Sequence, residues 1–150
     1  MAMNNRRNFF LALTSGLLLG LPWSISALFF VVFIAWLPLL LLEAEIRHHP
    51  NPYAIFIYAF ISFVLWNILG TWWIFQVHPV GAILIILANS VIQALVFWLA
   101  SRCRTILKIP LLFPFLLIWM GYEHLHLSLS LIHISEPTRL RLKSRMPSSE

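Results

Sequence analysis

Three long stretches of this sequence, residues 8–42, 50–101 and 109–122, contain no Lys, Arg, Asp or Glu. Soluble domains carry about a quarter charged residues because their surfaces face water, whereas only 10% of this chain is charged. Hydrophobic residues make up 61% of its 150 residues. The pattern excludes an ordinary soluble domain and predicts a protein that lies in a membrane.

Five apolar segments are candidates for membrane-spanning helices. A helix crosses a hydrocarbon core of roughly 30 Å with about 20 apolar residues, since each residue adds about 1.5 Å. The candidate segments are residues 9–21, 26–42, 53–75, 80–100 and 109–127. The breaks between them are residues 22–24, 43–52, 78–79 and 102–108. The predicted fold class is all-α, a polytopic transmembrane helical bundle fragment of about five helices.

The basic residues of the N-terminus and of the short breaks all lie on one side of these predicted crossings. They are Arg6, Arg7, Arg47, Arg102, Arg104 and Lys108. The breaks around Pro22 and His78, on the other side, contain no basic residue. Because short loops rich in Lys and Arg stay in the cytoplasm, the sequence predicts a multi-pass protein with a cytoplasmic N-terminus.

A secretory signal peptide is an alternative interpretation of the N-terminus. The pair Arg6 and Arg7 precedes an apolar run, and residues 24–27 resemble a small-residue cleavage site. The apolar run resumes at once through residue 42, without the polar sequence expected of a mature secreted protein. Two helices joined by a tight turn at residues 22–24 explain both runs, and we favour that interpretation.

Charge and motifs argue against several other classes of protein. The net charge is +5, but four of the ten basic residues lie within residues 139–145 and the others form short clusters. Nucleic-acid binding is not predicted, because a continuous basic groove with aromatic residues is missing. The sequence has a single cysteine, Cys103, and lacks phosphate-binding glycine loops, HExxH helices and GxSxG turns. It therefore predicts no cofactor, no metal site and no catalytic residue.

Polar side chains in the third and fourth segments form one candidate site. Asn89 and Gln93 are four residues apart, which places them on one helix face, with Ser90 beside them. Asn67 in the third segment is a possible hydrogen-bond partner for them. Such groups in a bilayer usually bond a neighbouring helix, so we favour a packing role over substrate binding.

A second candidate lies at the outer end of the fifth segment, in residues Tyr122, Glu123, His124 and His126. Ionisable side chains at membrane depth are costly and are functional candidates by default. Glu123 and His126 are three residues apart and close enough to touch on a helix. One short segment cannot supply the three or four ligands that zinc requires, and a helix end that reaches the headgroups explains the group equally well.

The order of several motifs resembles the N-terminal membrane portion of apolipoprotein N-acyltransferase, over roughly residues 9–128. The motifs are SGLLLGLPW at residues 15–23, IAWLPLLLLE at 34–43, LGTWWIF at 69–75 and WMGYEHLHL at 119–127. In the last motif, the family's Trp and Glu four residues apart fall on Trp119 and Glu123. The His-Leu-His that follows most resembles Bacteroidetes members of the family.

This resemblance implies an enzyme of a bacterial inner membrane that transfers an acyl chain from a membrane phospholipid to the N-terminal diacylglyceryl-cysteine of a lipoprotein. In the family, a thioester on a cysteine carries the acyl group, in a nitrilase-like domain outside the membrane. None of these 150 residues matches that domain, and Cys103 is predicted on the opposite side. We therefore expect residues 1–128 to be a transmembrane region that is inactive alone.

The last 22 residues and the overall function each leave an alternative open. Residues 129–150 place basic residues outside, against the charge bias, and "SLIHISEPTR" resembles translated sequencing adaptor, so this tail is expected to be non-native or disordered. The alternative function is a small membrane scaffold or transporter component. In that case Asn67, Asn89, Gln93 and Glu123 would line a polar path.

Overall fold

A computed structural model describes residues 5–47, 51 and 53–143, with side chains described up to residue 128 except at positions 24 and 26. Within these ranges every regular element is helical and no strand occurs, which confirms the all-α prediction. The helices are α1 (Asn5–Ser24), α2 (Val31–Ala35), α3 (Leu37–Ile46), α4 (Ala54–Thr71), α5 (Pro79–Leu107) and α6 (Leu112–Lys143). Short 3₁₀ turns at Ser26–Leu28 and Trp72–Gln76 follow α1 and α4.

The second predicted segment, residues 26–42, is divided into two helices at Trp36. Proline 38 explains the break, because its ring has no N–H and would clash with the carbonyl group of Ile34 in a continuous helix. Near the start of α3 the same residue is tolerated, since the first turn of a helix needs no internal N–H partner.

The bounds of α5 follow from local chemistry at both ends. His78 caps the first turn, where its Nδ1 accepts a hydrogen bond of 2.9 Å from the Gly81 N–H. Pro79 takes the first helical position, for which its restricted φ is suited. Lys108 ends the helix in the left-handed conformation at φ 55°, and Pro110 follows.

The helices pack around a shared interior, and the most extensive contact joins α1 to α4. Helix α1 lies along α4 and also contacts α2 and α3, while α5 packs against α4 on one side and α6 on the other. Each helix contributes at least one buried side chain to this interior. They are Leu19 of α1, Ala35 of α2, Leu39 of α3, Phe63 of α4, Phe97 of α5 and Phe115 of α6. Large apolar side chains also lie exposed on every helix, as lipid-facing residues do.

Two helical segments, Ala54–Gln76 and Pro79–Leu107, are long and apolar enough to cross a membrane. Their lengths are 23 and 29 residues, and 39% of the most apolar window of each is buried inside the protein. These segments correspond to the third and fourth predicted crossings. Helix α6 continues as backbone helix to Lys143. It thus extends past the boundary predicted at residue 128, while the tail residues 144–150 lie outside the described part of the chain.

Two glycines set the close approach of α1 to α4. A Cβ atom at Gly16 would collide with the carbonyl oxygen of Ser62 and lie 3.0 Å from the Cβ of Leu65. One turn later, a Cβ at Gly20 would lie 2.7 Å from the Cβ of Leu69. This is the small-residue spacing that lets helices in membranes pack backbone to backbone.

We expect Gly16→Ala to destabilise the protein by about 1–3 kcal/mol, because the new methyl group meets backbone rather than a movable side chain. Chemical denaturation in detergent measures the change. Gly121→Ala is the matched control, since a Cβ at that position has no neighbour within 4 Å. An equal effect of both substitutions would contradict the close packing of α1 on α4.

Candidate functional site

A small polar cluster joins α4 to α5 in the interior. The Asn67 side-chain amide donates to Gln93 Oε1 at 2.7 Å, to Ser90 Oγ at 3.1 Å and to the Phe63 carbonyl oxygen at 2.8 Å. The Ser90 hydroxyl in turn donates to the Ile86 carbonyl oxygen at 2.7 Å. All three polar side chains are buried. The hydrogen bonds of this polar cluster, Asn67, Ser90 and Gln93, therefore compensate for the removal of these groups from solvent.

Asn89 does not join the polar cluster and is partly exposed. The buried face of α5 includes Ile86, Ser90, Gln93 and Phe97, which follow the helical period. Asn89 lies about 100° around the helix from Ser90, at the edge of that face. The structure thus brings Asn67 and Gln93 together, uses Ser90 as the third member, and leaves Asn89 apart.

Helix α6 reaches the polar cluster through Tyr122. The Tyr122 side chain is half-buried and lies close to Gln93. Its ring lies 5.7 Å from that of Trp119 and 5.8 Å from that of His126, between ring centres. Gln93 of α5 therefore bonds to Asn67 of α4 and lies near Tyr122 of α6. Periodicity within α5 alone could not predict this position between two other helices.

Trp119 lies in an aromatic cluster next to these polar groups. Its ring centre is 4.9 Å from that of Trp36, 5.5 Å from Phe115, 5.8 Å from Phe63 and 6.2 Å from Trp66. Trp36 stands at the junction of α2 and α3, so the aromatic cluster joins that junction to α4 and α6. Edge-to-face and offset ring pairs of this kind add to the stabilisation from burial.

Glu123, by contrast, is exposed, as are His124 and His126. The ring of His126 packs near Tyr122, and no ion pair between Glu123 and His126 occurs among the described side chains. Asn67 and Gln93 therefore share one buried cluster, while Asn89 is partly exposed and Glu123 is exposed. In the part of the chain that the structure describes, no three His, Cys, Asp or Glu side chains are grouped to hold a metal.

A buried carboxylate, which the sequence did not indicate, lies at the other end of the bundle. Glu43 of α3 is completely buried, accepts a hydrogen bond of 2.7 Å from the Ser101 hydroxyl and pairs with the Arg104 guanidinium. The prediction placed Glu43 at the start of the polar break at residues 43–52. Ser101 and Arg104 are three residues apart and share a face of α5. That polar spacing, on the same predicted side as the acidic residues Glu43 and Glu45, is the signal that could have identified this buried ion pair.

The hydrogen bond between Asn67 and Gln93 predicts a measurable coupling between the two residues. Asn67→Ala and Gln93→Ala should each destabilise the protein, and the double variant should lose about 0.6–2 kcal/mol less than the sum. A double-mutant cycle in detergent measures this coupling. The control cycle pairs Asn67→Ala with Asn89→Ala, for which additive losses are expected, and coupling of equal size there would contradict the assignment.

Comparison with known proteins identifies one family. A sequence profile described as the apolipoprotein N-acyltransferase N-terminal domain matches residues 15–133. The apolipoprotein N-acyltransferase of Chlorobaculum tepidum is 30% identical over 118 residues, which cover 77% of this chain and 22% of that protein. No solved structure matches the chain significantly. The profile match includes both the polar cluster and the aromatic cluster.

Proposed function

Because the chain belongs to the apolipoprotein N-acyltransferase family, we propose that it is the N-terminal helical region of an enzyme that acylates lipoproteins. The acyl donor would be a membrane phospholipid, and the acceptor the N-terminal diacylglyceryl-cysteine of a lipoprotein. The observation that carries this proposal is the family match over residues 15–133. The chain spans 22% of the length of its C. tepidum relative, and we assign the transfer reaction to the portion of the enzyme outside this region.

Within such an enzyme these helices would be a scaffold in the bilayer. The polar cluster and the aromatic cluster fill the contact region of α4, α5 and α6, so the interior is suited to packing rather than to passage of a solute. Exposed apolar side chains such as Phe33 and Leu117 provide a surface for lipid. A rigid support of this kind would hold a reactive domain next to its lipid substrates.

A chimera tests this function. The segment of the C. tepidum enzyme that aligns with this chain is replaced by residues 15–128, and the chimera is expressed in a strain depleted of its own acyltransferase. We expect growth and triacylated lipoprotein, whereas the same enzyme with the segment deleted should give neither. A chimera that is well expressed in the membrane but inactive would contradict the proposal.

We further propose a multi-pass topology in the inner membrane with a cytoplasmic N-terminus. The bias of basic residues supports it, as do the two apolar segments of spanning length. Cys103 is a free thiol at the basic end of α5, and Val77 is strongly exposed before the opposite end. These two positions would then lie on opposite sides of the membrane.

Cysteine labelling in intact cells checks this topology. We expect Cys103 to resist a membrane-impermeant maleimide until the cells are opened, and Val77→Cys in a Cys103→Ser background to react at once. Labelling of Cys103 in opened cells verifies that the partly buried thiol is reactive. Reaction of Cys103 in intact cells would overturn the orientation.

We also propose that the tail, residues 129–150, is not part of the native protein. The family match ends at residue 133, so it covers only the first five residues of this tail, and the tail's four basic residues lie beyond it. Sequencing of the source genome across this position tests the proposal. A locus that encodes the same residues 129–150 would refute it.

A further inference from the structure

An open basic cleft of about 540 Å³ lies where the end of α3 meets the end of α5. Its walls are Arg47, Arg104, Thr105, Lys108, Ile109 and Pro110. Three of these six residues are cationic and none is acidic. Glu43 lies behind Arg104 and is completely buried, so the carboxylate neutralises part of the charge without reaching the opening. The basic cleft therefore presents an excess of positive charge at one end of the bundle.

The buried ion pair between Glu43 and Arg104 lies at the base of this basic cleft. Arg104 is held by Glu43, which Ser101 also contacts, and only 22% of the Arg104 side chain is exposed. A guanidinium has five N–H groups, so a single bond to the carboxylate leaves donors for another anion. Thr105 Oγ1 donates to the Ser101 carbonyl oxygen at 2.9 Å. Its hydroxyl proton is therefore engaged, and the positive charge at the opening comes from Arg47, Arg104 and Lys108.

The surroundings of the basic cleft are apolar rather than aqueous. Ile106 and Leu107, immediately before Lys108, are 76% and 61% exposed, and Ile109 and Pro110 form one wall. In a membrane protein such side chains lie in the hydrocarbon, which places the neighbouring cations at the level of the headgroups. An acyl chain could lie against the apolar residues while its phosphate contacts the cations.

We propose that this basic cleft binds the phosphate of an anionic phospholipid, with the lipid's acyl chains along Ile106 and Leu107. The site is at the end of α5 away from the polar cluster, and it serves to anchor α3 and α5 rather than to take part in acyl transfer. Basic pockets between helices at this depth are known to favour anionic headgroups. The proposal requires that the helices lie in a bilayer but not that the enzyme be active.

The test measures lipid preference by thermal unfolding of the full chain in neutral detergent. Short-chain phosphatidylglycerol, phosphatidylcholine and inorganic phosphate are titrated separately. We expect half-maximal stabilisation by phosphatidylglycerol at a concentration on the order of tenfold lower than by phosphatidylcholine. Equal responses to the two lipids would overturn the proposal. A response to inorganic phosphate equal to that for phosphatidylglycerol would overturn the assignment to lipid.

Charge variants locate the effect. Arg47→Gln with Lys108→Gln should abolish the tenfold preference while Arg104 stays paired with Glu43. Arg6→Gln with Arg102→Gln removes two charges outside the basic cleft and should retain the preference. Arg47→Lys with Lys108→Arg should also retain it, which separates loss of charge from loss of fold. Equal losses in the first and second variants would refute a specific site.

Discussion

Arg104→Met should destabilise the protein by about 3–5 kcal/mol, because it leaves the fully buried Glu43 carboxylate with its Ser101 hydrogen bond but no counter-charge. Desolvation of a carboxylate is costly, and the charge of Arg104 compensates for that cost in the folded protein. Denaturant titration in detergent, monitored by circular dichroism, measures the loss. Arg7→Met is the matched control. This substitution also breaks an ion pair, the one between Arg7 and Glu45 at 2.5 Å, but both side chains of that pair are exposed.

The exposed pair should contribute no more than about 1 kcal/mol, since solvent screens it. A further variant identifies the cause. Glu43→Leu combined with Arg104→Met removes both charges and should recover most of the stability lost in Arg104→Met. If the double variant is as unstable as the single one, the buried charge is not the source of the effect. If Arg7→Met lowers the stability as much as Arg104→Met does, then burial of the ion pair does not explain the loss in Arg104→Met.

Trp119→Ala should destabilise the protein by about 3 kcal/mol, because it removes the ring that contacts Trp36, Phe63 and Phe115. This is the lower end for a core tryptophan, since the Trp119 side chain is partly buried. Thermal unfolding and protease resistance in detergent measure the loss. Trp73→Ala is the control, since that side chain is 56% exposed on the 3₁₀ turn after α4. Similar losses for the two tryptophans would contradict the aromatic cluster as the joint between α6 and the rest.

Trp119→Phe distinguishes loss of packing from loss of the indole itself. A smaller ring keeps part of the aromatic contacts, so this variant should lose less than half as much stability as Trp119→Ala. In the chimera with the C. tepidum enzyme, both substitutions should reduce activity in proportion to folded protein in the membrane. An inactive Trp119→Phe chimera with normal folding would instead indicate a direct role in the reaction.

The helices were predictable because each depends on local features of the chain. Long uncharged runs require internally bonded backbone, and the His78-Pro79 pair marks the start of α5 through its own chemistry. The break at Trp36 was not predicted, although Pro38 lies two residues later. Residues 26–42 form one uninterrupted apolar run, and hydropathy alone does not show where such a run divides into two helices. The close approach of α1 to α4 was not predicted either, although Gly16 and Gly20 are four residues apart, a spacing typical of closely packed membrane helices.

Burial of particular polar residues could not be predicted in the same way. Asn89 and Ser90 are neighbours in sequence, yet only Ser90 faces Asn67, because the rotation of α5 against α4 is set by packing along both helices. Glu123 stood out as an ionisable residue near a predicted span and is exposed, while Glu43 seemed to belong to a polar break and is buried. Its partner Ser101 is 58 residues away.

The sequence by itself determined that this chain is helical, apolar and a member of its family, because uncharged runs, prolines at the starts of helices and ordered motifs are properties of neighbouring residues. Only the tertiary structure decided which polar groups are paired inside and where cations gather around a cleft. Those choices depend on the approach of helices that are distant in sequence, and hydrogen bonds and ion pairs form only within a few ångströms.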